Sequence, residues 1–368
     1  MRRPPPLVGA AVVLGSLVLL VALLLEAGEP PRVDDARRGS GGQGPDPVVE
    51  PEAWRLLERA AEAPQRTTYE GTQFVSAWAS DSTTSQVLQV SHSPGGGTTW
   101  QPAGRGTHRP AAVHTSSHAA DPSILGVGAV GLMARHYSLA VAGAARVAGR
   151  SADVVEARRP GQDADEVVAR FWLDAQTGLV LRREVYDTRG RTTRASAYVE
   201  VAVRDVAEPQ EAAEADVGRA WAEAIDGPAL RRMQAYGWDC PDRLPGPLPL
   251  VDARRGGAGK GIVHLSYADG VASISVFQQR GTLDGDKLQG YRRETVAGRA
   301  VWVSPEVPRR VVWAADDMVF TLVADAPERT VERAVSALHG GTDAGGGGPM
   351  DRLARGLDRV ASWFNPFE

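Results

Sequence analysis

The sequence contains one cysteine, Cys240, and two lysines, Lys260 and Lys287, in 368 residues. A single cysteine cannot form a disulfide within the chain, so the folded cores must be stabilised by packing alone. The formal net charge is −4 at pH 7. Because binding to phosphate backbones requires clustered Lys and Arg, this charge argues against a general nucleic-acid-binding protein.

Common catalytic motifs are also missing. The sequence has no Gly-x-Ser-x-Gly elbow of a serine hydrolase, and no P-loop lysine follows the Gly-rich string GVGAVG. Three histidines, His108, His114 and His118, are candidate ligands for a transition metal. Their spacing matches no closed zinc pattern, however, and their segment is rich in glycine. The sequence therefore predicts a protein that is not an enzyme and that needs no metal and no cofactor.

The N-terminus carries the longest apolar run of the chain. Arg2 and Arg3 precede an uncharged stretch from residue 7 to 25, which as a helix would reach about 28 Å, close to the thickness of a bilayer core. Residues 1–27 are therefore predicted to be a cytoplasmic tip and a transmembrane anchor, with a cleaved signal peptide as the alternative. The charges at the start place that end in the cytoplasm. The expected location is the cell membrane, single-pass, with the bulk of the chain extracytoplasmic.

The length is sufficient for about two domains, and changes in composition indicate where they divide. Segments rich in Gly, Pro and charge alternate with segments that have a regular apolar period. The predicted organisation after the anchor is a flexible tether (28–51), a β-dominated N-terminal domain (52–210), a helical connector (211–240), a second and smaller domain (241–340), a Gly-rich linker (341–349) and an amphipathic C-terminal helix (350–368).

The stretch FWLDAQTGLVLRREVYDTRG, residues 171–190, predicts adjacent antiparallel strands. Asp174 can accept hydrogen bonds from turn amides and Gly178 can adopt a positive φ, and Asp187 and Gly190 repeat this pattern at a second turn. Along the first strand Phe171 and Leu173 lie on one face and Trp172 on the other. We therefore expect large apolar groups on both faces of this part of the sheet.

The second domain shows five apolar runs with strand periodicity, GIVHLSYA, VASISVFQQR, RAVWVS, RRVVWAA and MVFTLVAD, before the helical pattern PERTVERAVSAL. Strands followed by one helix predict a small α+β domain.

Three stretches resemble the MucB/RseB family of exported sigma-E regulators. They are LLERAAEAPQRTTYEGTQFVSAW with LQVSHSPGG behind it, RVAGRSADVVEARRP followed by the hairpin of residues 171–190, and LSYADGVASISVF with TVERAV later. Their order and spacing agree with the family across about residues 54–339. The Asp-x-x-Thr-Gly-Leu hairpin is also similar to that of lipoprotein carriers of the LolA and LppX kind.

The resemblance implies an α+β fold. Its N-terminal domain would be an open antiparallel half-barrel wrapped around helices, LolA/LppX-like, and would be followed by the smaller α+β domain. The resemblance also implies that the protein binds the extracytoplasmic segment of an anti-sigma factor and shields it from proteolysis until a lipid-type signal releases it. Residues 97–121 depart from the family pattern, so contacts in that region are not carried over.

Two groups of side chains are candidate binding residues. Aromatic residues on strands of the half-barrel could line an apolar cavity for a lipid, or could fill an ordinary dry core: Tyr69, Phe74, Trp78, Trp172 and Tyr198. Four arginines could contact a partner or an anionic head group, or could belong to a solvated sheet face: Arg146, Arg150, Arg182 and Arg183.

Three functions remain open from the sequence. The first is a membrane-tethered regulator of an envelope-stress sigma pathway that binds an anti-sigma factor. The second is a carrier or binding protein for a lipid or lipoprotein of the cell envelope, and the third is a purely structural envelope protein. The first is the main prediction.

Overall fold

The computed structural model describes residues 46–79, 82–94, 97–103, 125, 127–161, 166–205, 223–246, 248–256, 261–305 and 308–338. These residues belong to one compact unit. The expected anchor at 1–27, most of the tether, the three clustered histidines and the predicted C-terminal helix lie outside the described residues. No helix within the described ranges is long and apolar enough to cross a membrane.

The N-terminal half combines two helices with an eight-stranded sheet, called here the first sheet. In chain order its elements are α1 (Pro51–Arg66), β1 (Thr67–Trp78), β2 (Thr83–Ser93), β3 (Gly97–Pro102), α2 (Val127–His136), β4 (Ser138–Val147), β5 (Arg150–Arg159), β6 (Glu166–Asp174), β7 (Val180–Tyr186) and β8 (Thr192–Asp205). The strand order is β3-β2-β1-β8-β7-β6-β5-β4, with every pairing antiparallel. Within the described residues the sheet is open, with β3 and β4 at its edges.

Helix α1 forms because an alanine-rich segment follows Pro51, whose fixed φ suits the first position of a helix. The helix ends at Arg66. At Thr67 the backbone becomes extended, and the Thr67 hydroxyl donates a hydrogen bond to Ala63 O at 2.7 Å. One face of α1 is buried in the core of the first sheet, together with Met133 of α2 and with Phe171 and Leu173 of β6. The helices therefore cover one face of the sheet.

The turn between β6 and β7 has the chemistry expected from the sequence. The Asp174 carboxylate accepts hydrogen bonds from Thr177 N at 3.1 Å and from the Thr177 hydroxyl at 2.7 Å. Gly178 has φ +83°, and a Cβ at this position would lie 3.0 Å from Arg59 O of α1. Glycine is required there both for the backbone conformation and for the close approach of the helix. The predicted hairpin is confirmed.

The C-terminal half forms the second sheet. Its elements are β9 (Glu223–Ala224), α3 (Gly227–Ala235), β10 (Arg243–Leu244), β11 (Leu248–Gly256), β12 (Ile262–Ala268), β13 (Ser273–Arg280), a 3-10 turn (Gly285–Lys287), β14 (Arg292–Val296), β15 (Arg299–Val303), β16 (Arg309–Ala315), β17 (Met318–Asp325) and α4 (Glu328–Ala337). The order of its described strands is β10-β11-β12-β13-β17-β16-β15-β14, and β9 pairs with β11. This sheet too is open in the part of the chain that the structure describes.

The second sheet has a core of its own. Trp313 and Phe320 stack at its centre with ring centroids 5.0 Å apart, and Val331 and Val335 of α4 are buried in the same cluster. Cys240 is also part of this core, where burial raises the pKa of its thiol to about 12. The described chain is thus mostly β-sheet with few helices, in two open sheets that each have a separate core. The exact domain boundaries remain a prediction.

Candidate functional site

The five predicted aromatic residues do not all lie in one place. Tyr69, Trp172 and Tyr198 belong to one buried cluster of the first sheet, with the rings of Tyr69 and Tyr198 6.2 Å apart in an edge arrangement. Phe74 is buried as well, whereas Trp78 is half-buried at the end of β1. The structure thus brings three of the five side chains together. Their role as the lining of a lipid cavity remains a prediction.

His92 connects this cluster to α1. Its ring stacks on Tyr69 with centroids 4.6 Å apart. Nε2 donates to Pro64 O at 2.7 Å, so Nδ1 accepts from the Thr98 hydroxyl, also at 2.7 Å. Burial lowers the pKa of His92, and its hydrogen bond to the Pro64 carbonyl opposes that effect only in part. The imidazole is therefore a neutral link between helix and sheet.

The four predicted arginines have different partners. Arg146 is exposed and donates to Gly149 O at 2.7 Å. Arg150 binds the Asp174 carboxylate through two hydrogen bonds of 2.9 and 2.8 Å. Arg182 pairs with Glu184 and lies over the Trp172 ring, 4.5 Å from its centroid.

Arg183 differs from the other three because it reaches the second sheet. Its Nη1 lies 2.6 Å from Asp325 Oδ2, at the end of β17. Arg194 of β8 approaches the same carboxylate from the first sheet, with Nε 2.6 Å from Oδ1. All three side chains are at least 86% buried, since their exposed fractions are 11%, 10% and 14%. Arg183, Arg194 and Asp325 are called the arginine junction below.

The electrostatics of the arginine junction follow from its burial. Burial alone would raise the pKa of Asp325, but the two guanidinium groups outweigh it and hold that pKa below its usual value. Burial lowers the pKa of Arg194, and Asp325 counteracts part of the effect. The carboxylate is therefore ionised, and it holds two strands of the first sheet to one strand of the second.

A loop of the second sheet provides a further contact between the two halves. Residues 269–272, which connect β12 and β13, are called the docking loop. The Tyr137 hydroxyl, next to α2, donates to Asp269 Oδ2 at 2.7 Å, and Val271 is buried in the core of the first sheet. Burial and the Asp269 carboxylate both raise the pKa of Tyr137, so its hydroxyl remains a donor.

The tightest part of this contact is Gly270. Its φ is +94°, and a Cβ there would lie 2.5 Å from both Ala129 O and Met133 N of α2. Only a residue without a side chain permits this approach of loop and helix. The docking loop and the arginine junction together join the two sheets.

The edge strand β4 is a second feature that bears on binding. The segment before α1 already pairs with its first residues: Leu139 N donates to Val48 O and Glu50 N donates to Leu139 O, each at 2.9 Å. The Glu50 carboxylate then accepts from Val141 N at 2.9 Å. Beyond that point β4 has no strand partner on its outer side among the described residues.

The orientation of the backbone along this free part of β4 follows from its pairing with β5. A register shift between Val141 and Gly143 changes, by one residue, which positions of β4 direct their backbone N–H and C=O toward β5. Because alternate residues of an antiparallel strand direct their N–H and C=O away from the partner, Ala144 and Arg146 present these groups outward. Both residues are exposed, so an extended peptide could pair with them.

A family model matches part of the chain. The model described as the MucB/RseB N-terminal domain matches residues 110–216. This match confirms the resemblance to the MucB/RseB family. It covers α2 and all of β4 to β8, which include both arginines of the junction and the free edge. The comparison with curated proteins found no match.

Comparison with solved structures found MucB and LolA-like proteins. A crystal structure of MucB is 20% identical over 78% of this chain and 98% of that chain, with a TM-score of 0.44. The complex of Pseudomonas aeruginosa MucA/MucB is 21% identical over 78% and 97%, with a TM-score of 0.40. LprF from Mycobacterium bovis is 12% identical over 46% and 99%, with a TM-score of 0.23. All three TM-scores are below 0.5, so these similarities do not define the fold. The fold follows from the strand pairing of this chain itself.

Sequence reasoning missed two members of the arginine junction, Arg194 and Asp325. Each lies in a strand where its neighbours are apolar or small, in ASAY after Arg194 and in FTLVA before Asp325. A charge among buried neighbours is a signal of a buried ion pair. The partner cannot be found this way, because Arg183 and Asp325 are 142 positions apart.

Proposed function

We propose that this protein is an extracytoplasmic regulator of a sigma-E-type envelope-stress pathway that binds the outer segment of an anti-sigma factor. The observation that carries the proposal is the match of residues 110–216 to the MucB/RseB N-terminal domain. The resemblance to that family implies that binding shields the anti-sigma factor from proteolysis. In the proposed arrangement residues 1–27 hold the protein at the membrane and the remaining chain lies outside.

The mechanism proposed is occlusion by strand addition. The outward N–H and C=O groups of Ala144 and Arg146 provide a short free edge, and backbone pairing at such an edge gives affinity without requiring a pocket. Pairing of the same strand with Val48 and Glu50 supports this choice, because β4 there already accepts an extended segment. A peptide bound as a strand is withheld from a protease, which must itself bind its substrate in extended form.

The experiment uses the full chain and the outer segment of the single-span anti-sigma factor from the same cell. We expect saturable binding by isothermal titration calorimetry and slower cleavage of the segment by an added protease when this protein is present. An unrelated extracytoplasmic segment of equal length is the control for non-specific protection. Absence of binding to the anti-sigma segment would refute the proposal.

The second candidate function is a lipid or lipoprotein carrier. It is favoured by the aromatic cluster of Tyr69, Trp172 and Tyr198 in the first sheet. A carrier would co-purify with lipid, whereas a regulator that works by occlusion alone would not. Mass spectrometry of an organic extract of the purified full chain distinguishes them: lipid in molar ratio to protein supports the carrier, and its absence refutes that candidate.

A further inference from the structure

Strand β4 pairs with a parallel segment only over its first residues. Leu139 N donates to Val48 O, and Glu50 N donates to Leu139 O. These two bonds define a parallel register in which Val49 lies opposite Leu139. In that register the next bond would join the residue two positions after Leu139 to the backbone carbonyl of Glu50. The pairing stops before this bond, because α1 begins at Pro51.

The side chain of Glu50 replaces its own backbone carbonyl at this position. The carbonyl is used by α1, where it accepts from Trp54 N at 3.0 Å. Val141 N, the donor that it would have met on β4, instead donates to Glu50 Oε2 at 2.9 Å. Glu50 makes no side-chain hydrogen bond to α1, so its carboxylate serves the sheet and not the helix. The hydrogen bond from Val141 N to Glu50 Oε2 is called the edge bond below.

The edge bond occupies one position in the outward row of β4. Three residues of this row lie beyond the parallel segment, and their partners on β5 are two residues apart: Val141 with Val155, Ala144 with Asp153 and Arg146 with Ser151. The bulge in β4 therefore keeps the spacing of a regular strand, and an extended peptide on the outer side would meet all three positions. Within the described residues Val141 is the one among them whose outward N–H has a partner.

The edge bond lies at the surface. Glu50 is exposed, and so are residues 142–144, which follow Val141 along β4. An exposed hydrogen bond contributes little net free energy, because water satisfies the same groups when the bond is broken. The backbone carbonyl of an added strand can therefore displace the carboxylate, and its neighbours then pair with Ala144 and Arg146 in the same ladder.

We propose that the Glu50 carboxylate competes with the partner for the edge of β4 and so limits the affinity of strand addition. This inference rests on the function proposed above and concerns the regulation of that binding site. On binding, a backbone carbonyl of the partner replaces the carboxylate at Val141 N, and Glu50 is released to water. In the unbound protein the edge bond shortens the free edge from three positions to two, which disfavours pairing with unrelated extended segments.

The first experiment tests the edge bond without a partner. Amide hydrogen exchange of the full chain, resolved to single residues by NMR, reports on Val141. We expect its exchange to be at least about tenfold faster in Glu50→Ala than in the unchanged protein, because the N–H then faces water. In Glu50→Gln the amide oxygen still accepts, so exchange should stay within about threefold. Equal exchange in Glu50→Ala and the unchanged protein would overturn the proposal.

The second experiment measures binding of the outer segment of the anti-sigma factor to the full chain by isothermal titration calorimetry. We expect Glu50→Ala to bind about fivefold more tightly, because no hydrogen bond of Glu50 has to be broken first. Glu52→Ala is the matched control, since it removes another exposed carboxylate from the first turn of α1. Its affinity and its exchange at Val141 should equal those of the unchanged protein.

The outcomes separate this inference from the proposed function. If the unchanged protein binds the segment and Glu50→Ala binds it equally or more weakly, competition by Glu50 is overturned and the proposed function stands. The same gain in Glu52→Ala would assign the effect to net charge and also overturn the competition. Binding of the segment to none of these proteins would refute the proposed function and this inference with it.

Discussion

At the scale of single residues, Asp325 has the largest expected effect on stability. Its carboxylate compensates two buried guanidinium groups, and Asn in its place would leave both without a countercharge. Removal of one partner from a buried ion pair costs about 3–5 kcal/mol. We therefore expect Asp325→Asn to lower the free energy of unfolding by about that amount, measured by urea denaturation at pH 7.

The matched control for this change is Glu62→Gln. Glu62 pairs with Arg66 at 2.5 Å on the surface of α1, where the side chains are 43% and 59% exposed. Exposed ion pairs contribute about 0–1 kcal/mol, so this variant should be close to the unchanged protein. Equal losses in the two variants would contradict the description of the junction as buried and charged.

A second residue-scale prediction concerns the dependence of stability on pH. His264 stacks on Phe277 with ring centroids 4.4 Å apart, and burial lowers its pKa to about 4. Between pH 6.5 and 4 the unfolded chain binds more protons at this position than the folded protein does. The contribution of His264 to the free energy of unfolding is therefore complete above pH 6.5 and is lost as the pH falls from 6.5 to 4. We expect His264 to account for about 2 kcal/mol of the decrease in unfolding free energy from pH 7.5 to pH 5.

The variant His264→Phe tests the assignment of this decrease. Phenylalanine retains the stacking on Phe277 but does not titrate, so urea denaturation should show a smaller decrease between the same two pH values. The carboxylates and His92 are present in both proteins, so their contributions to the pH dependence cancel in the comparison. An identical decrease in the variant would show that His264 is not the group responsible.

At the scale of elements, the docking loop depends on a glycine at position 270. A methyl group there would clash with the backbone of α2, and the positive φ adds strain for any L-residue. We expect Gly270→Ala to lower the free energy of unfolding by at least about 2 kcal/mol, more than backbone strain alone. Urea denaturation gives this value.

Gly149 provides the comparison. It also has a positive φ, +76°, in the turn between β4 and β5, but a Cβ at that position meets nothing within 4 Å. Gly149→Ala should therefore cost only the strain of the backbone, about 1 kcal/mol. If both variants lose the same stability, the approach of the docking loop to α2 is looser than described.

Elements with strong local signals were predictable from the sequence. The hairpin of residues 171–190 was predicted from its turn residues, and the five apolar runs of the second domain correspond to β12, β13, β15, β16 and β17. Strand β11 was missed because LPLVDARRG combines a proline with three charges and a terminal glycine. Strand β14, RRETV, is mostly polar. Both strands form because neighbouring strands offer hydrogen bonds, which periodicity alone does not reveal.

At the scale of the whole molecule, the proposed function predicts that the free edge of β4 contacts the partner. Proline at position 144 would remove the outward N–H and place a ring where the added strand must approach. A backbone hydrogen bond contributes about 0.5–1.5 kcal/mol, so Ala144→Pro should weaken binding of the anti-sigma segment about tenfold. Isothermal titration calorimetry measures this change.

Ala144→Val is the matched control for the proline variant. Valine enlarges the side chain but retains the N–H, so binding should stay within about twofold of the unchanged protein. Thermal unfolding of both variants verifies that the first sheet is intact. Unchanged affinity in Ala144→Pro would place the partner elsewhere and remove strand addition at β4 from the mechanism.

The candidate site was only partly predictable. Arg183 was identified as a possible contact residue, but its partner Asp325 was not. Arg146 and Arg182 bind groups two or three positions away, and Arg150 binds Asp174, which is 24 positions away on β6. Arginine is common both in local ion pairs and at interfaces, so residue type does not separate these uses. Whether an arginine forms a local ion pair or an interface contact depends on which strands are its neighbours in the folded protein.

The sequence by itself determined the antiparallel β-character, the two turns of residues 171–190, the short helices and the family resemblance. These properties depend on residues within a few positions of each other, where alternation, turn propensity and capping act directly. Only the tertiary structure decided that Asp325 lies between Arg183 and Arg194, that Gly270 touches α2 and that β4 keeps a free edge. The contacts of Asp325 and of the docking loop join positions more than a hundred residues apart. They exist only once both sheets have formed, because burial then strengthens the interaction between charges.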